Sequence, residues 1–341
     1  MHRKFIVQKG SFRNSIIYVI VAVILITFPF VTNTYQARLL GRYLVFGLFA
    51  MSFDLLWGYA GIMNFGHAVF FGLGAYSTGI IMKYVHIPGV SLLAVMASML
   101  VPMSIAFIIG YFLFYGRVAG VYFAIVTMAF SLMMQAITIA LDFTGGLDGI
   151  LGISPLKFVV PGLIDLSFTG DWIPYYTIVM VSVLLLLLAR RIVLSSFGRA
   201  LEALRNNTER LEAFGYNVAQ VKLIIFVIAC GMAGVAGLLY VPMGHISPEI
   251  LGLLFSTSAL VWVSIGGRGT LIGGFIGALI VSYLQYFLGA KLQNLWYLLI
   301  GVFFILIVLF KSEGIMGFLK HRHVYAEDKG NTLELNTRGE E

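Results

Sequence analysis

Charge is what this chain has least of. Asp, Glu, Lys and Arg make up 11 % of its 341 residues, hydrophobic residues 60 %, and the mean hydropathy is +0.96. A water-soluble domain of this size needs far more charge to cover its surface, so a soluble fold is excluded. Cysteine is nearly missing: Cys230 stands alone in an apolar stretch, which rules out an internal disulfide and reads as a small packed hydrophobe. There is no G-x-x-x-x-G-K-[ST] run, so the chain lacks the phosphate loop of an ATP hydrolase. His67 and His86 lie a span's length apart, and neither joins a His/Cys/Asp cluster. No metal site and no cofactor are expected, and no set of convergent polar residues points to an enzyme.

What the chain has in abundance is apolar stretch. About 20 apolar residues in a helix cross a hydrocarbon core roughly 30 Å thick. The sequence predicts an all-α, polytopic transmembrane bundle with spans near 15–31, 38–57, 62–82, 92–115, 118–140, 172–189, 223–243, 253–266, 270–288 and 293–310. The count is ten, or eight or nine if the short 253–266 segment re-enters rather than crosses. Residues 1–14 form a basic N-terminal segment, 15–310 the membrane domain and 311–341 a hydrophilic tail, disordered over Ala326–Glu341. Ser15–Val31 is long and lacks a small-residue cleavage site, so it reads as a retained first helix.

Charge placement gives the orientation. With the N-terminus in the cytoplasm, inner segments 1–14, 58–61, 116–117, 190–222, 267–269 and 311–341 hold 4, 0, 1, 6, 1 and 5 Lys and Arg, 17 of the chain's 22. The other five (Arg38, Arg42, Lys83, Lys157, Lys291) fall outside or at the outer edge. Positive residues concentrate on the cytoplasmic side of membrane proteins. Both termini and the 190–222 loop are therefore expected inside, and the 141–171 loop outside.

Glycine, 38 residues in all, is dense over Gly58–Gly79 and Gly266–Gly277. Gly58, Gly61 and Gly66 recur after 208 residues as Gly266, Gly269 and Gly274. The pattern fits close helix packing, and it also fits two interrupted helices of an internal repeat. Asp54 is the one acid well within a span. Intramembrane acids can mark proton paths, but its place within a turn of Gly58 favours a hydrogen bond or a reach toward the interface.

The 190–222 loop is the most readable segment. Gly198–Arg205 has helical spacing, with Ala200, Leu201 and Leu204 on one side and Arg199, Glu202 and Arg205 largely on the other. Thr208 is a suitable N-cap, Glu209 and Glu212 fall in the first turn, and Gly215 suits the C′ position. That predicts a two-turn helix over Glu209–Phe214 with Leu211 and Phe214 on one face. So short a helix needs a partner surface. It either rests on its own membrane domain or enters a groove of another subunit.

The chain also resembles a known family. Ser196-Phe-Gly-Arg-Ala-Leu-Glu-Ala-Leu-Arg205, followed by Glu212-Ala-Phe-Gly-Tyr-Asn217, is similar to the coupling loop of ABC importer permeases of the branched-chain amino-acid type. Gly61-Ile-Met-Asn-Phe-Gly-His-Ala-Val-Phe-Phe-Gly-Leu-Gly-Ala-Tyr76, Gly120-Val-Tyr-Phe-Ala-Ile-Val-Thr127 and Thr144-Gly-Gly-Leu-Asp-Gly-Ile150 resemble the same family, in order, over about 40–309. Trp262-Val-Ser-Ile-Gly-Gly-Arg-Gly-Thr-Leu271 and the Asn294-Leu-Trp-Tyr297 ending resemble relatives that serve urea and short amides.

The resemblance implies a multi-pass permease of the bacterial inner membrane, the second of two homologous permease subunits. Its expected partners are the other permease, two cytoplasmic ATPases and a periplasmic or lipid-anchored binding protein. The chain would supply half of the translocation path, for a branched-chain amino acid or for urea or a short amide. Glu202, Arg205, Thr208, Glu209, Leu211, Glu212, Phe214 and Gly215 would carry the ATPase coupling. Asn64, His67, Tyr122, Thr127 and Trp262 are candidate path residues, being polar or amphipathic on glycine-rich or interrupted segments. Each could instead bond between helices. A secondary transporter or channel for a small neutral solute is the alternative; it would need an ion-coupling or filter constellation, for which Asp54 is the one candidate.

Overall fold

The computed structural model describes residues 27–29, 31–87, 89–153, 157–160, 164–167, 172–292, 301, 302 and 314. Its helices are α1 (Thr34–Asp54), α2 (His67–Tyr84), α3 (Val90–Tyr115), α4 (Gly120–Ala140), α5 (Ile173–Leu194), α6 (Ser196–Asn206), α7 (Thr208–Ala213), α8 (Val218–Tyr240), α9 (Leu253–Gly266) and α10 (Ile272–Leu292). Helix α1 runs on into a π turn, Leu55–Tyr59.

Six helices among the described residues are long and apolar enough to cross a membrane: α1 with its π turn, α3, α4, α5, α8 and α10. They match six of the ten expected spans. Two more correspond to α2 and to the 14-residue α9. At a rise of 1.5 Å per residue α9 is about 21 Å long, short of the hydrocarbon thickness. The expected spans at 15–31 and 293–310 lie almost wholly outside the described residues, as does the 311–341 tail.

The span expected over 62–82 begins five residues late. Gly61 takes φ +74°, a left-handed conformation that ends the preceding turn. The Asn64 side-chain oxygen then accepts the Gly66 N–H at 3.0 Å, so 60–66 stays non-helical and α2 starts at His67. Short strands occur in the connections as well. Strands β1 (Ile150–Leu151) and β4 (His245–Ile246) pair antiparallel, and β2 (Lys157–Val160) pairs with β3 (Ile164–Ser167).

Packing divides the helices. Helix α8 lies against α2 and α3, while α1 is packed by α10, α8, α5 and α9. Helices α1 and α8 are largely buried; α3, α4 and α5 leave apolar side chains such as Leu92, Ile125 and Leu184 exposed, as a lipid-facing surface requires. Bare glycine backbone allows the inner contacts. A Cβ on Gly74 would run into the carbonyl of Gly234, and one on Gly237 into the carbonyl of Phe71. Lipid supplies no hydrophobic drive between helices, so such close approach is what holds them together.

The connections sort by end. At one end Arg205 reaches Gly58, Arg268 reaches Trp57, and the 114–119 turn meets 208–222. At the other, Ile150 pairs with Ile246, His245 Nε2 donates to the Asp148 carbonyl at 2.9 Å, and the Tyr84 hydroxyl donates to the Phe143 carbonyl at 3.3 Å. Every one of these contacts joins segments that the charge pattern assigns to the same side.

The glycine packing makes a stability prediction. Gly74→Ala is expected to destabilise the detergent-solubilised protein by about 1–3 kcal/mol, because the new methyl meets backbone that cannot rotate away. Gly289→Ala, with open space around its Cβ, is expected to shift stability by no more than about 0.5 kcal/mol. Equal thermal midpoints for the two variants would contradict the close α2–α8 contact.

Candidate functional site

Four of the five candidate path residues are buried: Asn64, His67, Thr127 and Trp262. Ser52 spends its one hydroxyl proton on the Phe49 carbonyl at 2.7 Å, so His67 Nε2, 2.9 Å from Ser52 Oγ, must be the donor there. That leaves Nδ1 to accept from the Asn64 amide at 3.5 Å, while the amide oxygen holds Gly66. The imidazole stacks on Phe49 at 5.3 Å between ring centroids, and Phe49 stands edge-on to Trp262 at 6.5 Å. Thr127 approaches from α4: a Cβ on Gly66 would collide with its carbonyl. Asn64, His67 and Thr127 thus meet at the start of α2, and Trp262 joins them through Phe49. Tyr122 does not: it is 76 % exposed, on the outer face of α4.

Three serines complete this layer, and nothing in the sequence singled them out. Besides Ser52, Ser256 Oγ accepts the Ala68 N–H at 2.9 Å and Ser131 donates to the Leu251 carbonyl at 2.6 Å. They tie α2 to α9, and α4 to the turn before α9. A hydrogen bond across helices in hydrocarbon contributes about 0.6–2 kcal/mol. Small hydroxyls have no signature in sequence, since serine is common in apolar helices.

The second candidate region lies at the end where Arg205 meets Gly58. Each helix of the 190–222 loop is capped by the side chain before it. Ser195 accepts from Gly198 N–H at 3.3 Å, Asn207 from Arg210 N–H at 2.9 Å and Asn217 from Gln220 N–H at 3.1 Å. The expected face of α6 is observed, with Ala200, Leu201 and Leu204 buried and Arg199 and Glu202 outward.

The next helix needs correction in two respects. Its N-cap is Asn207 and not Thr208, so it covers Thr208–Ala213 rather than Glu209–Phe214; the Thr208 hydroxyl instead donates to the Leu204 carbonyl at 3.4 Å. Leu211 and Phe214 also part company. Leu211 is 2 % exposed, sealed in the chain's own core, whereas Phe214 is 82 % exposed. The helix ends at Phe214, and Gly215 at φ +84° turns the chain left-handed. Glu209, Glu212 and Phe214 are all exposed. Beside them a cavity of about 640 Å³ is lined by Arg117, Glu212, Gly215, Tyr216 and Lys222, among others, and by none of the five path candidates.

Asp54 is held by neighbouring backbone. Its Oδ1 accepts the Gly269 N–H at 2.7 Å, and its Oδ2 accepts those of Thr270 at 3.1 Å and Leu271 at 2.9 Å. Three successive N–H groups converge because Gly269 and Leu271 both take positive φ, +74° and +53°, forming an anion-binding nest. The hydrogen-bonding reading of Asp54 is therefore the one observed. Two arginines bind the π turn beside it. Arg268 donates to the Trp57 carbonyl from Nε at 3.1 Å and Nη2 at 2.9 Å and lies over the Trp57 ring at 4.5 Å. Arg205 Nη1 donates to the Gly58 carbonyl at 2.5 Å. Burial and the nearby Arg205 pull the Arg268 guanidinium below its ordinary value, with Asp54 opposing.

The two glycine-rich segments thus meet face to face: a Cβ on Gly58 would lie 2.5 Å from the Gly269 nitrogen. The 208-residue recurrence was a usable pointer to Arg268, which sits among Gly266, Gly267 and Gly269. Among the described residues no group of three or more His, Cys, Asp or Glu could hold a metal ion.

Comparison with known proteins matches this architecture to a family. The model of the "Branched-chain amino acid transport system / permease component" family matches residues 35–308. The high-affinity branched-chain amino acid transport system permease protein LivM of Salmonella typhimurium is 23 % identical, over 91 % of this chain and 76 % of its own length. The probable LivM permease of Methanocaldococcus jannaschii is 25 % identical and BraD of Pseudomonas aeruginosa 27 %, each over 80 % of this chain and 91 % of its own length. No solved structure matches. With most of its length matched, the chain belongs to the family of branched-chain amino acid transport permease components.

Proposed function

We propose that the chain is one of two homologous permeases of an ATP-driven importer in the inner (plasma) membrane, and that it carries a branched-chain amino acid. Two cytoplasmic ATPases and a binding protein complete the complex. LivM and LivH permeases are both among its relatives, which supports a paired permease. The names of the relatives support the amino-acid substrate over urea or a short amide.

The observation that carries the coupling role is Phe214. A large aromatic, it is left 82 % exposed by the described residues, at the tip of a capped two-turn helix that also carries Glu209, Arg210 and Glu212. It has the make-up of an anchor for a groove, with charges that fix register. Leu211 underneath seats the helix on the membrane domain, so a push on Phe214 moves the loop as a unit. ATP-driven closure of the ATPases would then bias the permease between outward- and inward-open packings.

Asn64, His67, Thr127 and Trp262 are proposed to border the solute path, with Tyr122 facing outward from the bundle. The secondary-transporter reading loses its candidate, because the Asp54 carboxylate is engaged by three backbone N–H groups.

Ten spans, both termini cytoplasmic, and 190–222 inside are the proposed topology. Asn207→Cys on a Cys230→Ser background is expected to react with an impermeant thiol reagent only after the membrane is opened. Leu147→Cys, exposed in the 141–171 loop, is expected to react from outside in spheroplasts. The reverse pattern would invert the topology.

Phe214→Ala is expected to leave the permease folded and to weaken ATPase binding by about 2 kcal/mol or more, roughly thirtyfold in Kd. Gly215→Val is expected to act similarly, by opposing the left-handed backbone. Pull-down of the ATPases on each permease reads this out, and undiminished binding by both variants would remove the loop from its docking role. For the substrate, calorimetry of the cognate binding protein is expected to show binding of leucine, isoleucine or valine; binding of urea alone would reassign it.

A further inference from the structure

The coupling loop needs a physical route into the membrane, and one junction supplies it. Arg205 closes α6, the helix just before the exposed anchor. Its guanidinium is inserted between two glycine turns: it donates to the Gly58 carbonyl, and a Cβ on Gly269 would come within 3.2 Å of Nη1. Its aliphatic stem rests on Gly61, where a Cβ would meet Cγ at 3.4 Å. From the end of α1, just before the π turn, Asp54 grips Gly269, Thr270 and Leu271, and Arg268 reaches back to Trp57. The Thr270 hydroxyl passes the hold onward, donating to the Gly267 carbonyl at 2.7 Å and accepting the Gly273 N–H at 3.1 Å in the first turn of α10.

We propose that Arg205, Asp54 and Arg268 are positioning residues of a transmission joint, through which displacement of the coupling loop shifts the end of α1 and the α9–α10 hairpin together. The proposal rests on the reading of 208–215 as the ATPase contact. Three features fit it. The joint unites three chain segments that are far apart in sequence. Its contacts are made to backbone carbonyls and N–H groups, so they move main chain rather than one rotamer. It is also built on a π turn, whose irregular carbonyls are free to accept side-chain donors. A purely structural clamp would have no need to include Arg205, which belongs to the loop outside the membrane.

The test uses the complete importer, both permeases with the ATPases and binding protein, reconstituted in vesicles with ATP inside. Composition, ATP hydrolysis and solute uptake are measured on the same preparation for Arg205→Gln, Arg205→Lys and Asp54→Asn. Gln can reach a carbonyl only through a shorter, uncharged amide. Asn presents a donor where Thr270 and Leu271 need an acceptor. Complexes of normal composition are expected from the Arg205 variants. The ratio of solute moved to ATP hydrolysed is expected to fall at least about tenfold in Arg205→Gln and Asp54→Asn, and to be partly restored in Arg205→Lys.

An unchanged ratio in Arg205→Gln overturns the proposal, and so does a defect that consists only of failed assembly. Phe214→Ala serves as the separate check on the underlying reading. If it abolishes ATPase binding while the Arg205 variants transport at the full ratio, docking stands and the joint falls. If it leaves binding intact, the docking reading itself has failed.

Discussion

A single carboxylate inside an apolar bundle sets the terms for the rest of this structure. Removing an ion from water costs several kcal/mol even after relaxation. Asp54 recovers this through three charge-assisted hydrogen bonds, each contributing about 1.5–3 kcal/mol. The terms are of similar size, so the carboxylate is tolerable only where all three donors are in place. That demand fixes the 267–271 turn in a conformation with three positive φ values, at Gly267, Gly269 and Leu271, the last of which a branched side chain rarely adopts. It also fixes how far the end of α1 lies from the start of α10. Gly58 has no side chain because a Cβ would strike the Asp54 carboxylate on one side and the Gly269 nitrogen on the other.

The same economy governs the helices above. Hydrocarbon rewards close contact and satisfied polar groups, and it gives nothing for burying leucine. Helices α2 and α8 accordingly meet through Gly74, Gly234 and Gly237, and the α9–α10 hairpin through Gly266, Gly273 and Gly277. The isolated hydroxyls of Ser52, Ser131 and Ser256 each close one hydrogen bond across this packing or beside it. Leucines such as Leu92 on α3 and Leu184 on α5 also cover the exposed faces.

What was legible in the sequence follows from how local the determining physics is. The long apolar runs gave α3, α4 and α10 to within two residues at their starts, because length and hydropathy suffice for a span. The α6 face was readable because burial recurs at helical spacing. The cap of α7 was not: Asn207 and Thr208 are both good N-caps, and only the path of the chain from Leu204 decides between them. The separation of Leu211 from Phe214 depends on where the membrane domain's surface lies. The β1–β4 pair joins residues nearly a hundred positions apart in two loops, with two residues per strand, and leaves no periodic trace. Asp54 was visible as an anomaly, but its partners were three backbone amides, which carry no sequence identity.

The two candidate regions share a helix. Phe49, Ser52 and Phe53 on α1 surround His67 by stacking, hydrogen bond and edge contact. Asp54, two residues past Ser52, holds the 269–271 nest, and Trp57 and Gly58 receive the two arginines. From Ser52 to Gly58 is six residues, about 9 Å along a helix. Over that distance a packed helix end behaves as a rigid piece, because interiors at crystal-like density do not absorb small displacements. The Gly58 contact and the contacts to the His67 layer thus belong to one continuous element. The π turn at Leu55–Tyr59 is where that element departs from α geometry, and it carries the two carbonyls that the arginines bind.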